Sequence, residues 1–272
     1  MSVTADTASA RPPGHVPAVA RALAVMDLLA RERKPMNPTG VAAALALPKS
    51  SVHGLCNTLL SFGYLRRAEN GALQIGPGVM GLAEAFVAST NVAGEFDALW
   101  RDAATPDETF ILSVLNGAEV VYVGVRNSPR PLGLAFSVGM RLPAHLAATG
   151  KAMLAFLEPA AVRTIFPRGP LPGMPGRASI GLPKLLAELA LTRERGYAID
   201  DEELEEGLRC IAVPVLDAQR QPVAAVSISG PSFRVTAQKL PAIANHLLQC
   251  VRGICADMGY ISSRSRTSSL SA

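Results

Sequence analysis

The sequence predicts an α+β protein: a small unit of helices ending in a β-hairpin, a linker helix, and a larger region where strands and helices mix. Three observations lead there. Residues 17–62 place their apolar side chains at helical spacing. After Gly63 the period changes, and Tyr64–Arg67, Glu69-Asn70-Gly71 and Ala72–Ile75 read as strand, tight turn and strand. From residue 91 onward, period-two and helical segments interleave.

Each element has its own justification. Residues 1–15 are polar and contain Pro and Gly, and are expected to form a disordered arm. Pro17–Arg33 reads as a helix with Val19, Leu23, Met26 and Ala30 as its buried stripe. Asn37-Pro38-Thr39 starts a short second helix running to Leu45, and Ala46-Leu47 turns the chain into a third. Pro48 is tolerated there because its missing N–H would be unpaired in a first turn. Val52, Leu55, Leu59 and Leu60 give the third helix an apolar face. Three helices and a hairpin over residues 16–76 form a winged helix-turn-helix. Residues 77–90, beginning PGVMGLAEAFVAS, read as a linker helix with Val79, Leu82, Ala83 and Phe86 on one face. Such a stripe either pairs with its copy in a dimer or docks on its own domain.

The second domain is expected over residues 91–260. Thr109–Leu115 and Glu119–Val125 flank Asn116-Gly117, a hairpin signal. Leu132–Val138 reads as a further strand, Pro143–Leu157 as a helix, and 167–176 as loop. Pro183–Arg195 is a helix closed by Gly196. Cys210–Leu216 and Gln221–Ser229 are strands joined by residues 217–220, and Val235–Met258 contains a long final helix. The Ser-rich end, 261–272, is expected to be a disordered tail.

At 272 residues, with 49% hydrophobic and 18% charged residues, the chain holds one or two globular domains. No apolar run reaches membrane-span length, and MSVTADTASARPPG lacks a signal-peptide layout, so a cytoplasmic protein without membrane contact is expected. Cys56, Cys210, Cys250 and Cys255 lack zinc-site spacing and read as free thiols in a reducing compartment. No metal, cofactor or catalytic group is expected. The net charge of +4 is unevenly placed. Residues 1–76 hold eight Lys/Arg against four Asp/Glu, while the remainder holds eighteen of each. The whole excess therefore lies beside the third helix, as electrostatic attraction to DNA requires.

That helix fits a major groove. Lys49, Ser50 and Ser51 crowd its first turn with donors for phosphates, and His53 and Asn57, four apart, are placed to reach base edges together. Arg66 and Arg67 in the wing suit backbone or minor groove, and Arg21 on the first helix completes the expected DNA-contacting set.

The second domain carries the chemistry of a small-molecule site. Ser227 and Ser229 share a strand face with Ala225, and Cys210, Ala212 and Pro214 share a face of the neighbouring strand. Buried hydroxyls need partners: a ligand carboxylate or carbonyl is one, backbone carbonyls or a water are others. Ala147-Ala148-Thr149-Gly150-Lys151 lies at a helix start, where backbone amides favour an anion, though without P-loop spacing. The acidic run from Asp200 to Glu206 reads as a solvated helix start, with Asp200 alone placed to face inward. Cys210 has no sequence-adjacent base to make it a nucleophile.

The stretches VPAVARALAVMDLLA, LPKSSVHGLCNTLLSFGYL, LPAHLAATGKAMLAFL and RGYAIDDEELEEGLRCIAVPVLDAQRQPVAAVSISGP resemble the isocitrate lyase regulator (IclR-type) family of bacterial transcription factors over about residues 16–258. The resemblance implies a GAF-like C-terminal effector-binding domain, dimers often paired as tetramers on DNA, and a small organic or aromatic acid as effector. It implies an effector pocket at Leu134, Leu142, Ala148, Thr149, Asp200, Leu208, Cys210, Ser227 and Ser229. Three positions depart from the family pattern. Gly54 stands where arginine usually follows the recognition-helix histidine, Ala46 where the turn usually has glycine, and Gly40 where the second helix usually has an acid.

The expected function is an effector-responsive regulator of a catabolic operon, bound to a palindromic double-stranded operator as a homodimer or tetramer. Two alternatives are a ligand-binding module whose helix-turn-helix no longer reads DNA, and an enzyme acting on a small acid through Cys210 and Asp200.

Overall fold

The computed structural model describes residues 16–90, 108–129, 136–166, 169–174 and 179–257. The expected arm and tail, most of the strand predicted over 132–138, and the pocket residue Leu134 lie outside them. The chain divides into two compact units, residues 1–89 and 90–272.

In the first unit, α1 (Pro17–Glu32) ends on Arg33, whose left-handed backbone (φ 53°) lets its N–H close on the Leu29 carbonyl. α2 (Pro38–Ala44) is capped by Asn37, whose side-chain oxygen accepts from the Gly40 amide at 2.6 Å. Ala46 sits at φ 50° in the turn before α3 (Lys49–Ser61). The short strands β1 (Leu65–Arg67) and β2 (Leu73–Ile75) pair antiparallel, Leu65 opposite Ile75. Met36 bridges to Leu73, tying the wing to the start of α2. A Cβ on Gly76 would lie 2.3 Å from the Gly63 carbonyl oxygen, so only glycine fits where the wing leaves the unit. α4 (Val79–Thr90) follows.

The core of this unit joins Val25, Leu28, Leu29, Val41, Ala42, Val52, Cys56, Leu59, Leu65 and Leu73. This corrects the stripe predicted for the first helix. Val19 and Leu23 are 57% and 56% exposed, Ala30 is exposed and Met26 half-buried. α1 is apolar on most of its circumference, and the core takes the Val25/Leu28/Leu29 face. On α3, Cys56 is buried while Leu55 and Leu60 are half-buried.

The second unit is built on a six-stranded antiparallel sheet of order β5-β4-β3-β10-β9-β8. Its strands are β3 (Thr109–Asn116), β4 (Glu119–Arg126), β5 (Arg141–Pro143), β8 (Ala198–Asp201), β9 (Leu208–Leu216) and β10 (Pro222–Pro231). β3 and β4 close through Gly117 at φ 61°, as the Asn-Gly pair predicted. The intervening chain forms α5 (Ala148–Leu154), α6 (Pro159–Ile165), the two-residue strands β6 (Pro170–Leu171) and β7 (Ile180–Gly181), and α7 (Leu182–Arg195), with α8 (Leu240–Asp257) last. Phe136–Val138 are not strand, and the helix predicted from Pro143 begins only at Ala148 because Pro143 ends β5. A Cβ on Gly150 would meet the Ala144 carbonyl oxygen at 2.2 Å, so glycine lets the turn over 144–147 lie against α5.

Period-two alternation divides the sheet into two faces. Phe110, Leu112, Ile211, Val213, Val215, Ala224, Val226 and Ile228 point to α8. Ile111, Val120, Tyr122, Cys210, Ala212 and Ala225 point the other way, to α5 and α7.

Candidate functional site

The first unit presents a polar surface on α3 and the wing. Lys49, Ser50, His53 and Asn57 are exposed and Ser51 is half-buried, because the Val52/Cys56/Leu59 stripe turns the opposite side of α3 into the core. Pro48, at the N-cap of α3, makes no side-chain cap hydrogen bond to the first turn. Gly54 lies on the same exposed side, with no atom within 4 Å of where its Cβ would stand. Arg66 and Arg67 are exposed on β1, and Arg21 is exposed on α1. Arg67 donates to the Gly71 carbonyl at 3.0 Å. It also lies near enough to Cys56 for its charge to offset part of the upward push that burial gives that thiol.

In the second unit the register assembles a polar row on the sheet face beneath α5. Asp200 pairs with Cys210, Cys210 with Ser229, and Ser229 with Thr109. The next row on that face is Ala198, Ala212, Ser227 and Ile111. Asp200, Cys210, Ser227, Ser229, Leu208, Ala148 and Thr149 are all buried, and Leu142 is half-buried against the same core.

Asp200 is fully buried. Its Oδ1 accepts from the amides of Glu203 (2.7 Å) and Leu204 (3.3 Å); Oδ2 makes no hydrogen bond of ordinary geometry among the described residues, with the Cys210 thiol as the carboxyl's neighbouring donor. Burial pushes its carboxyl up to about 6, against the pull of Lys151 and the two amides. Thr149 Oγ1, in the first turn of α5, is also buried and has no partner among the described residues. The Ser229 hydroxyl donates to Cys210 Sγ at 3.1 Å. Burial, then the Asp200 charge, pushes the Cys210 thiol up. A thiol held in its protonated form is a poor nucleophile. Among the described residues no group of His, Cys, Asp and Glu is arranged to hold a metal.

The acidic run is not a helix start: Asp200 and Asp201 end β8, and the rest forms the turn to β9, entered at Glu202 with φ 62°. Nor is it wholly solvated. Glu203 takes the ammonium of the fully buried Lys151 together with Glu188, whose Oε1 is 2.7 Å away, while Asp201 pairs with Arg209. Burial alone would lower the Lys151 pKa, but these two carboxylates hold it above the ordinary lysine range. Lysine standing alone in the uncharged stretch Ala144–Ala155 was the only sequence signal for this group.

Two segments of the chain match described families. Residues 18–69 match the IclR helix-turn-helix domain, and residues 87–256 the bacterial transcriptional regulator IclR C-terminal domain. The HTH-type transcriptional regulator XynR of Escherichia coli (strain K12) is 30% identical over 248 residues, spanning 90% of this chain and 98% of that protein. The transcriptional repressor IclR of the same organism is 28% identical over 256 residues, 93% of each chain. Among solved structures, the Agrobacterium tumefaciens repressor BlcR shares 35% identity with a TM-score of 0.57, covering 91% of this chain and 99% of that one. With both segments matched in order, and relatives aligned along nearly their full length, the chain belongs to the IclR family of bacterial transcriptional regulators.

Proposed function

We propose that this regulator binds a palindromic operator through α3 and the wing, as a homodimer or tetramer in the cytoplasm, and that a small organic or aromatic acid in the buried site of its second unit controls a catabolic operon. The observation that carries the DNA reading is the exposed side of α3. Lys49, Ser50, His53 and Asn57 are exposed there, and Arg66 and Arg67 are exposed on the wing. Lys49, Ser50, Ser51 and the two arginines would fix the register on phosphates, and His53 and Asn57 would read bases. A two-fold pair of such helices spaced about 34 Å apart would meet successive major grooves.

The effector reading is supported by the buried Asp200 carboxyl and by Thr149 Oγ1, which has no partner among the described residues, beside Cys210, Ser227 and Ser229. An acid bound there shifts the operator equilibrium only by its differential affinity for the two subunit arrangements. Thermal-shift screening against keto acids and hydroxybenzoates identifies it. A true effector stabilises wild type by mass action and not the double variant Ser227→Ala, Ser229→Ala. Equal responses would place the site elsewhere.

Mobility shift with the chain's own upstream region tests the DNA reading. A salt-sensitive complex weakened by Arg66→Ala and Arg67→Ala is expected. Absence of any complex would favour a ligand-binding module that no longer reads DNA. Turnover of a bound acid that vanishes in Cys210→Ser would favour an enzyme, a reading that the raised thiol pKa opposes.

A further inference from the structure

Gly54 lies near the middle of α3, where glycine costs stability relative to alanine. Nothing within the chain asks for it. Its backbone is ordinary right-handed helix, which alanine adopts readily, and no atom lies within 4 Å of where its Cβ would stand. Gly76 differs, because there the Gly63 carbonyl oxygen already fills the Cβ position. Gly54 is exposed, so the space its side chain would take is open to a partner.

Its neighbours make that space the low point of the helix surface. Ser50, His53, Gly54, Asn57, Thr58 and Ser61 recur at helical spacing and are all exposed, on the side of α3 opposite Val52, Cys56 and Leu59. Two of these side chains turn back onto the helix. The Thr58 hydroxyl donates to the Gly54 carbonyl at 3.1 Å, and the Ser61 hydroxyl to the Thr58 carbonyl at 2.8 Å. The side chains free to stand out from the stripe are then His53 and Asn57, with the short Ser50 one turn earlier. Beside them, at Gly54, the backbone itself is the surface.

We infer that Gly54 is a specificity-determining residue of the DNA surface: its missing side chain lets α3 seat close to the major-groove floor and accept a thymine methyl there. This rests on the DNA reading above. The choice of base follows from what glycine offers. Its amide is spent inside the helix, and its carbonyl already accepts from Thr58. A polar base edge set against Gly54 would lose water without gaining a partner. The C5 methyl of thymine is the apolar group on the major-groove edges, and it needs only room. A Cβ at this position would take that room, lift α3 from the groove and shorten the reach of His53 and Asn57 to their bases.

Fluorescence anisotropy of full-length wild type and Gly54→Ala tests the inference. The probes are the duplex that wild type protects in the chain's own upstream region, the same duplex with uracil replacing one thymine at a time, and a scrambled duplex. Uracil removes only the methyl. Wild type should lose about tenfold in affinity at one such position. Gly54→Ala should bind the intact duplex about tenfold less tightly than wild type, and the uracil loss at that position should shrink in the variant to about twofold or less. Scrambled DNA should bind both proteins alike, and the variant should unfold at the same temperature as wild type or higher. A variant that binds the intact duplex as tightly as wild type overturns the inference. So does one weakened equally on scrambled DNA, or a wild type indifferent to every uracil. In those outcomes the DNA reading stands, because wild type still forms its complex. If wild type forms no salt-sensitive complex with any part of the upstream region, the DNA reading and the inference fall together.

Discussion

The backbone amide of Glu203 donates to Asp200 Oδ1 at 2.7 Å while the Glu203 carboxylate holds the ammonium of Lys151. One residue of the β8–β9 turn therefore positions the buried carboxyl of the candidate site and anchors it to α5. The consequence is a fully buried carboxyl oriented through one oxygen.

Asp200 should give the protein a measurable pH dependence. Its folded pKa of about 6 lies above the ordinary 3.8, so between those values the folded state binds more protons than the unfolded chain. Stability therefore falls as pH rises through that window, by on the order of 3 kcal/mol in full. Asn at this position keeps the oxygen that accepts from Glu203 and Leu204 and removes the charge. In the ligand-free full-length protein, Asp200→Asn should be more stable than wild type at pH 7. The gain should be about half as large at pH 5 and vanish below pH 4. Thermal unfolding across this range checks it, and a pH-independent difference would contradict the buried acid.

Lys151 links three segments through Glu188 and Glu203. Lys151→Met removes a fully buried cation and leaves two carboxylates facing each other. The expected loss is about 3 kcal/mol, at the low end for a broken buried pair because both carboxylates keep some solvent access. Urea unfolding of the second unit's transition measures it. Restoration by the further changes Glu188→Gln and Glu203→Gln would assign the loss to charge rather than to packing.

Two positions in the first unit carry opposite backbone costs. Ala46 at φ 50° pays the left-handed penalty, and Gly54 lies mid-helix with open space at its Cβ. Ala46→Gly and Gly54→Ala should each stabilise the first unit by about 0.5–1 kcal/mol. Hydrogen exchange of the α3 amides in the full-length chain would slow accordingly. Unchanged exchange in both would contradict this local account.

The DNA surface divides by role. Arg66→Ala and Arg67→Ala, if each removes a phosphate contact, lower the slope of log affinity against log salt by about 0.9 apiece. His53→Ala and Asn57→Ala should leave that slope unchanged and narrow the gap between operator and scrambled DNA by about 1–3 kcal/mol each. Fluorescence anisotropy at several salt concentrations separates the two classes.

Local signals in the sequence were reliable where the physics is local. Asn37 caps α2, Asn116-Gly117 closes the β3–β4 hairpin, and Gly196 ends α7 at φ 83°. The pattern failed on α1, because a helix apolar on most sides does not reveal which stripe its own core will take. β5 is three residues long and joins the sheet only at its edge, so periodicity had little to register. In the candidate site, Cys210, Ser227 and Ser229 were legible from alternation alone. Lys151 was not, because its partners Glu188 and Glu203 lie far along the chain.

Occupancy of the buried site is expected to change DNA binding. The direct measurement is operator affinity of the full-length protein by fluorescence anisotropy, with and without a saturating acid already shown to bind. A change of fivefold or more is expected in wild type, abolished in the Ser227→Ala, Ser229→Ala double variant. Equal operator affinity with and without bound acid would contradict it.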